Sequence, residues 1–113
     1  MTQAIAREEI KRLLDQGAPV TIVEALPEKY YRHAHLPGAL NIPHDRIGEL
    51  APAMLPDKDA IIVVYCANTA CRNSTIAADA LTALGYRNVH DYVAGKQDWL
   101  EAGLPVETPV RTG

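Results

Sequence analysis

The most constraining feature of the sequence is one uninterrupted run of apolar residues, Ala60-Ile61-Ile62-Val63-Val64-Tyr65. A strand with one face in water alternates apolar and polar residues, whereas an unbroken run is typical of a strand that helices cover on both faces. Such strands belong to parallel sheets, because the crossover between two parallel strands carries a helix onto a face of the sheet. The run therefore predicts the central strand of an α/β domain.

Strand and helix patterns alternate along the rest of the chain. Short β-branched or apolar segments at residues 20–23, 39–42 and 88–93 predict three further strands. Apolar spacings near 3.6 and a following glycine indicate helices. The predicted helices are 2–16 with Thr2 as its N-cap, 28–34, 45–54, 74–84 and a last one that ends near 101–103. Strands that alternate with helices predict a parallel sheet with right-handed crossovers.

The size and charge of the chain limit what it can be. Its 113 residues match one domain of ~100–150 residues, which we expect to span 1–113 with a core at about 4–107 and a loosely held tail over 105–113. A net charge of −3 argues against a nucleic-acid partner. The apolar runs are shorter than the ~20 residues that cross a bilayer, and charges interrupt residues 1–17 where a signal peptide is apolar. We therefore expect a cytoplasmic protein without a membrane partner.

One cysteine, Cys66, stands at the carboxyl end of the predicted central strand. Ligands of open α/β sheets bind at this end, and the loop after Cys66 leads to a helix N-terminus, whose free amides and dipole attract anions. This position predicts a Cys66 thiolate, a nucleophile for sulfur, phosphorus or arsenic centres. Arg72 and the loop amides are expected to bind the anion. The predicted anion-binding residues are Ala67, Asn68, Thr69, Ala70, Cys71 and Arg72.

Other interpretations of the two cysteines stay open at this point. Cys66 could be a buried cysteine without chemistry, since free cysteine is among the most buried residue types. The polar residues Asn68, Thr69 and Arg72 argue against this, because a core segment does not need them. Cys71 is either an exposed spectator thiol or a resolving thiol for Cys66. The Cys-x4-Cys pair lacks the tight spacing of structural zinc sites, so we expect neither a metal nor a cofactor.

Four ordered motifs resemble those of rhodanese-like domains. His35-Leu36-Pro37-Gly38-Ala39-Leu40-Asn41-Ile42-Pro43 is similar to the family signature H-[IL]-P-G-A-x-N-[IL]-P. Val63-Val64-Tyr65-Cys66 resembles the active-site strand with its cysteine, and the segment from Ala77 to Tyr86 resembles the helix that follows. Gly95-Lys96-Gln97-Asp98-Trp99 is similar to the closing element G-G-x-x-x-W. The resemblance covers roughly residues 4–107.

The resemblance implies both a fold and a reaction. The fold is a five-stranded parallel sheet flanked by helices on both faces. The reaction is that of a thiosulfate sulfurtransferase, with Cys66 as the sulfur carrier. In this family the cysteine takes sulfane sulfur from thiosulfate or a similar small anion and holds it as a persulfide. It then passes the sulfur to cyanide or to a thiol, which can belong to a sulfur-accepting protein.

The sequence departs from the family pattern in three places. The common D-x-R after the second strand is replaced by Glu24-Ala25-Leu26, so its arginine is absent. Ala94 replaces the first glycine of the closing motif. The usual loop C-x-x-G-x-R-S is about two residues longer here and has no glycine. A longer ring of amides encloses a larger anion, so the loop bears on the choice of substrate.

The long loop gives a rival hypothesis of phosphate or arsenate chemistry. From Cys66 to Arg72 the spacing is C-x5-R, as in the dual-specificity phosphatases that share the rhodanese fold and in other cysteine phosphatases; an arsenate reductase-like enzyme belongs to the same reading. A phosphatase must supply a proton to the leaving alkoxide, and residues 67–73 contain no Asp or Glu. The helix alignment also places Asn73, not Arg72, at the family's loop arginine.

A second rival belongs to a different class of protein. Cys66 and Cys71 could cycle between dithiol and disulfide in a non-catalytic sulfur or redox relay that binds a protein partner. The histidines do not separate these hypotheses: His35 is expected to be a structural hydrogen-bonding residue, and His33, His44 and His90 are expected on the surface or in loops.

Overall fold

A computed structural model describes residues 3–108 of the protein. Five parallel strands form one sheet in the spatial order β1-β5-β4-β2-β3. The strands are β1 Gln3–Ala4, β2 Val20–Glu24, β3 Leu40–Asn41, β4 Ile61–Tyr65 and β5 Asn88–Tyr92. The helices are α1 Arg7–Asp15, α2 Glu28–His33, α3 Ile47–Met54, α4 Asn73–Ala83 and α5 Gly95–Glu101. The predicted α/β class and the five-stranded parallel sheet are confirmed.

The apolar run is the central strand, as predicted. β4 pairs with β2 on one side and with β5 on the other. Successive side chains of a strand point to opposite faces; Val64 therefore packs with Ala77 and Leu81 of α4, whereas Val63 and Tyr65 pack in the other core with Ile10 of α1 and Trp99 of α5. Both faces are covered, which explains why the run does not alternate.

The predicted first helix, residues 2–16, begins too early. Gln3–Ala4 instead forms the edge strand β1, in register with His90 and Asp91 of β5, and the Ile5 amide donates to the Asp91 carbonyl at 3.1 Å. α1 begins only at Arg7, after Ala6; the predicted N-cap, Thr2, lies outside the described residues. Two residues are too few to show the alternation of a strand, so the sequence pattern indicated a helix here. In the structure, pairing with β5 makes this segment a strand.

The segment after α5 also differs from the expectation. The amide and carbonyl of Glu107 pair with those of His35 at 2.8 and 2.9 Å in an antiparallel bridge, and the Trp99 indole donates to the Pro105 carbonyl at 2.8 Å. Residues 105–107 are therefore held against the domain rather than loosely attached. Residues 109–113 of the expected tail lie outside the described part of the chain.

Smaller differences concern the ends of elements. The helix predicted at 45–54 is a 3₁₀ turn at His44–Arg46 that continues into α3. The strand predicted at 39–42 shortens to β3. In the described range, no helix has the length and apolar character that a membrane span requires. The carboxyl ends of β2, β3, β4 and β5 lie along one edge of the sheet, where Cys66 follows β4.

Candidate active site

Cys66 lies at the meeting point of the central strand and the first turn of α4. It is fully buried, with no measurable side-chain exposure. The Ser74 amide, in the first turn of α4, donates to the Cys66 sulfur at 3.4 Å. A strand that ends beneath a helix N-terminus brings the sulfur to the positive end of the helix dipole. This confirms the predicted location of Cys66 in the fold.

The protonation of Cys66 differs from the sequence prediction of a thiolate. Burial raises the pKa of the Cys66 thiol to about 11, and a side-chain hydrogen bond with Cys71 acts in the same direction. The Cys66 thiol also donates to the Cys71 carbonyl at 3.4 Å. Hydrogen bonds from Ser74 oppose the rise in the pKa but do not outweigh it. Desolvation disfavours the anion, so the raised pKa favours the thiol form of Cys66 at neutral pH.

Asn68 organises the loop after Cys66 into a turn. Its side-chain oxygen accepts from the Ala70 amide at 3.0 Å, and its carbonyl accepts from the Cys71 amide at 3.0 Å. Asparagine is favoured in loops for such local bonds. Two of the amides predicted to bind an anion, those of Ala70 and Cys71, are thus already engaged inside the loop.

Arg72 is the exposed cation of the loop. It directly precedes α4 and its side chain is exposed. Across residues 3–108 its guanidinium has no ion pair or hydrogen bond. Of the predicted site residues, Arg72, Thr69 and Ala70 are exposed, whereas Ala67, Asn68 and Cys71 are half-buried. The guanidinium is therefore available to an incoming anion.

The amino end of α5 holds the base of this loop. The Lys96 amide donates to the Cys66 carbonyl and the Gln97 amide donates to the Ala67 carbonyl, both at 2.8 Å. Gly95 has a φ of 73°, which favours glycine, and a Cβ on it would lie 2.7 Å from the Cys66 carbonyl oxygen. In the sequence, Gly95 was matched only as part of the closing motif. In the structure, its lack of a side chain allows the loop and α5 to approach each other.

A buried ionic cluster beneath the loop was missed by the sequence reading. The Lys96 ammonium lies 3.1 Å from the carboxylate of Glu24, which is fully buried. The Tyr65 hydroxyl donates to Glu24 at 2.6 Å and accepts from the Leu36 amide at 3.0 Å. Burial and the charge of Glu24 raise the pKa of Tyr65. One feature of the sequence could have indicated this cluster: Glu24 stands at the acidic position of the family motif D-x-R, but Leu26 replaces its arginine.

A cavity of about 320 Å³ opens beside the base of the loop. Leu26, Tyr30 and Leu100 give it a mainly apolar lining, and Ala67, Asn68 and Lys96 form the side toward the loop. A mainly apolar concavity with a few polar groups is the usual form of a small-molecule site. The cavity is therefore a candidate small-molecule site next to the loop.

The histidines lie apart from this chemistry or serve the fold. His35 stacks on Tyr31 with ring centroids 3.8 Å apart, and its Nδ1 lies 2.9 Å from the Tyr31 carbonyl, as expected of a structural residue. His33 is exposed at the rim of the cavity, whereas His44 and His90 are half-buried, His90 within β5. Among residues 3–108, no three His, Cys, Asp or Glu side chains form a group that could hold a metal ion.

Comparisons with known proteins agree with the fold and the motifs. The family model of the rhodanese-like domain matches residues 6–102. A solved structure, the thiosulfate sulfurtransferase of Pseudomonas aeruginosa, superposes with a TM-score of 0.82 at 27% identity and covers 96% of this chain and 21% of that chain.

Two curated relatives share sequence with the chain. The HTH-type transcriptional regulator Rv0324 of Mycobacterium tuberculosis is 34% identical over 110 residues, which are 97% of this chain and 47% of the regulator. Thiosulfate sulfurtransferase PspE of Escherichia coli is 36% identical over 66 residues, which are 58% of this chain and 61% of PspE. The chain thus spans about half to three fifths of the length of these relatives.

Proposed function

The chain belongs to the rhodanese-like domain family, and on that basis we propose that it is a sulfurtransferase in which Cys66 carries sulfane sulfur as a persulfide. The observation that carries this proposal is the position of the Cys66 sulfur, 3.4 Å from the Ser74 amide at the start of α4. That amide can stabilise both a thiolate and the persulfide anion that replaces it. The unpaired guanidinium of Arg72 supports an anionic donor.

The reaction runs in two displacements. The Cys66 thiol first loses its proton to solvent, and the thiolate attacks the sulfane sulfur of thiosulfate. The sulfur–sulfur bond of the donor breaks, sulfite leaves with the electron pair, and Cys66 holds a persulfide. A thiolate acceptor or cyanide then attacks the outer sulfur and restores the Cys66 thiolate. Because burial raises the pKa of Cys66, we expect binding of the anion to rearrange the loop and turn amides toward the sulfur.

The apolar cavity supports a site for the acceptor rather than for the donor. It lies beside Ala67 and Asn68, whereas Arg72 is absent from its lining. We infer that thiosulfate approaches over the exposed loop residues Thr69, Ala70 and Arg72 and that the acceptor approaches from the cavity. A reducing compartment such as the cytoplasm would keep both cysteines available for this cycle.

A steady-state assay tests the proposed activity. The wild-type protein should convert thiosulfate and cyanide to thiocyanate, and Cys66→Ser should reduce the rate by about a thousandfold or more, because a hydroxyl is a much weaker nucleophile and cannot carry sulfane sulfur. Circular dichroism of the variant checks that the fold is intact. A variant that keeps more than about a tenth of the activity would remove Cys66 from this role.

A second role, for Cys71, is favoured by one observation. The Cys71 carbonyl lies 3.4 Å from the Cys66 sulfur, so the loop has curled its later residues back over the nucleophile. The Cys71 thiolate could then attack the inner sulfur of the persulfide. The bond to the outer sulfur breaks, hydrosulfide leaves with the electron pair, and the two cysteines become a disulfide. Turnover by this route needs an added thiol reductant.

A further inference from the structure

Lys96 is a buried lysine whose side chain serves several elements at once. The residue is only 8% exposed. Its ammonium contacts the carboxylate of Glu24 at 3.1 Å and donates to the carbonyls of Tyr30 at 3.0 Å and Ala34 at 2.6 Å. An ammonium has three donors and no acceptor, so this set matches its capacity. The partners lie on β2, within α2 and just after α2, while Lys96 itself lies on α5.

The backbone of the same residue contacts the nucleophile. The Lys96 amide donates to the Cys66 carbonyl at 2.8 Å, so one residue joins the end of β4 to the end of α2. Lys96 also lines the cavity beside the loop, together with Tyr30 and Ala67. The position of the cavity wall relative to Cys66 is therefore set through Lys96.

We propose that Lys96, neutralised by Glu24, is a positioning residue for sulfur transfer at Cys66. Its ammonium holds α2 while its amide holds the Cys66 carbonyl, so the nucleophile and the wall of the cavity keep one relative geometry. The cation at the carboxyl end of β2 is thus Lys96 of α5, because Leu26 stands where the family motif D-x-R has its arginine. The proposal deepens the sulfurtransferase function and rests on it.

A purely structural role must be separated from positioning. Lys96→Met alone leaves the Glu24 carboxylate buried without a cation, which destabilises the fold whatever its catalytic importance. Glu24→Gln/Lys96→Met removes both charges at similar volume, which is often close to neutral for stability. The introduced amide oxygen can still accept from Tyr65. The carbonyls of Tyr30 and Ala34, however, lose their ammonium donor.

The test compares sulfur uptake with stability in the full chain. We expect the double variant to unfold in urea closer to the wild-type midpoint than Lys96→Met does. It should take up sulfur from thiosulfate about tenfold to a hundredfold more slowly in a single turnover and react faster with iodoacetamide at Cys66. Lys11→Met is the matched control, because Lys11 forms an exposed ion pair with Asp15 on α1. This control should leave all three readouts unchanged.

Two outcomes would overturn the positioning role. The first is that the double variant takes up sulfur and is alkylated at the wild-type rates. The second is that the double variant regains sulfur uptake to the same extent as it regains stability, relative to Lys96→Met. Should the methionine version unfold, Glu24→Gln/Lys96→Gln, which pairs two amides, carries the same comparison. If the wild type takes up no sulfur, the proposed function fails, while the alkylation of Cys66 still decides whether Lys96 positions it.

Discussion

The base and the outer arm of the loop after Cys66 are built in opposite ways. At the base, the carbonyls of Cys66 and Ala67 each accept an α5 amide at 2.8 Å, and Gly95 packs against the same backbone. On the outer arm, Thr69, Ala70 and Arg72 are exposed. From this difference we infer two roles: the base holds Cys66 in place, while the arm can rearrange to bind an anion.

Changing the base should have the largest effect. Gly95→Ala places a Cβ 2.7 Å from the Cys66 carbonyl oxygen, at a positive φ, so backbone must move on both sides of the contact. We expect a loss of about 2–4 kcal/mol in the free energy of unfolding, measured in urea, together with loss of sulfur transfer. The control is Gly48→Ala on α3, where a Cβ meets nothing within 4 Å. A Gly95→Ala protein of wild-type stability and activity would contradict the role of the base.

Changing the arm should reduce binding of the donor without changing stability. Arg72→Ala removes an exposed guanidinium that has no partner among residues 3–108, so the urea midpoint should not move. We expect kcat/KM for thiosulfate to fall about tenfold to a hundredfold, with a weaker salt dependence. Arg46→Ala is the control, since Arg46 is exposed and paired with Glu49. An unaltered kcat/KM would show that loop amides alone hold the anion.

The pH dependence of alkylation at Cys66 gives a further test of how the base of the loop holds this residue. Because burial raises the pKa of this thiol to about 11, the thiolate fraction, and with it the rate of iodoacetamide alkylation, should rise about tenfold per pH unit up to pH ~10. The measurement uses Cys71→Ser, so that only Cys66 reacts. A plateau below pH 8.5 would mean that the thiolate is stabilised even without substrate, as the sequence alone suggested.

The smallest effect is expected for Cys71. With thiosulfate and no thiol, the wild type should accumulate a disulfide about 2 mass units below the reduced protein, whereas Cys71→Ser should retain the persulfide. With a thiol reductant present, which returns any disulfide to the two thiols, cyanide-dependent turnover should change little. The same long-lived persulfide in both proteins would make Cys71 a bystander and leave Cys66 unaffected.

Sequence patterns predicted the sheet and the position of Cys66 at the end of β4 because both depend on local signals. An unbroken apolar run predicts a strand covered on both faces, and it places Cys66 at the carboxyl edge. β1 was missed because two residues carry no period. The Lys96–Glu24 cluster was missed because its members lie 72 positions apart and only folding brings them together. The thiolate expected from the helix N-terminus disagrees with the raised pKa of Cys66, because the burial of the sulfur, which only folding brings about, outweighs the hydrogen bonds from Ser74.

The rival hypothesis for the loop after Cys66 is phosphate chemistry. A cysteine phosphatase needs a proton donor for the leaving group, and no Asp or Glu lies within residues 67–73. We therefore expect negligible hydrolysis of aryl phosphates beside measurable thiocyanate formation. Faster turnover of the phosphate ester that depends on Arg72 would favour the C-x5-R hypothesis instead.

The most direct test of sulfur carriage is intact mass spectrometry after brief incubation of Cys71→Ser with thiosulfate, followed by peptide mapping. One added sulfur, about 32 mass units, is expected on the peptide that contains Cys66, and cyanide should remove it. The double variant Cys66→Ser/Cys71→Ser should show no added mass. An unmodified Cys66 peptide under conditions in which thiosulfate is consumed would contradict a persulfide at this residue.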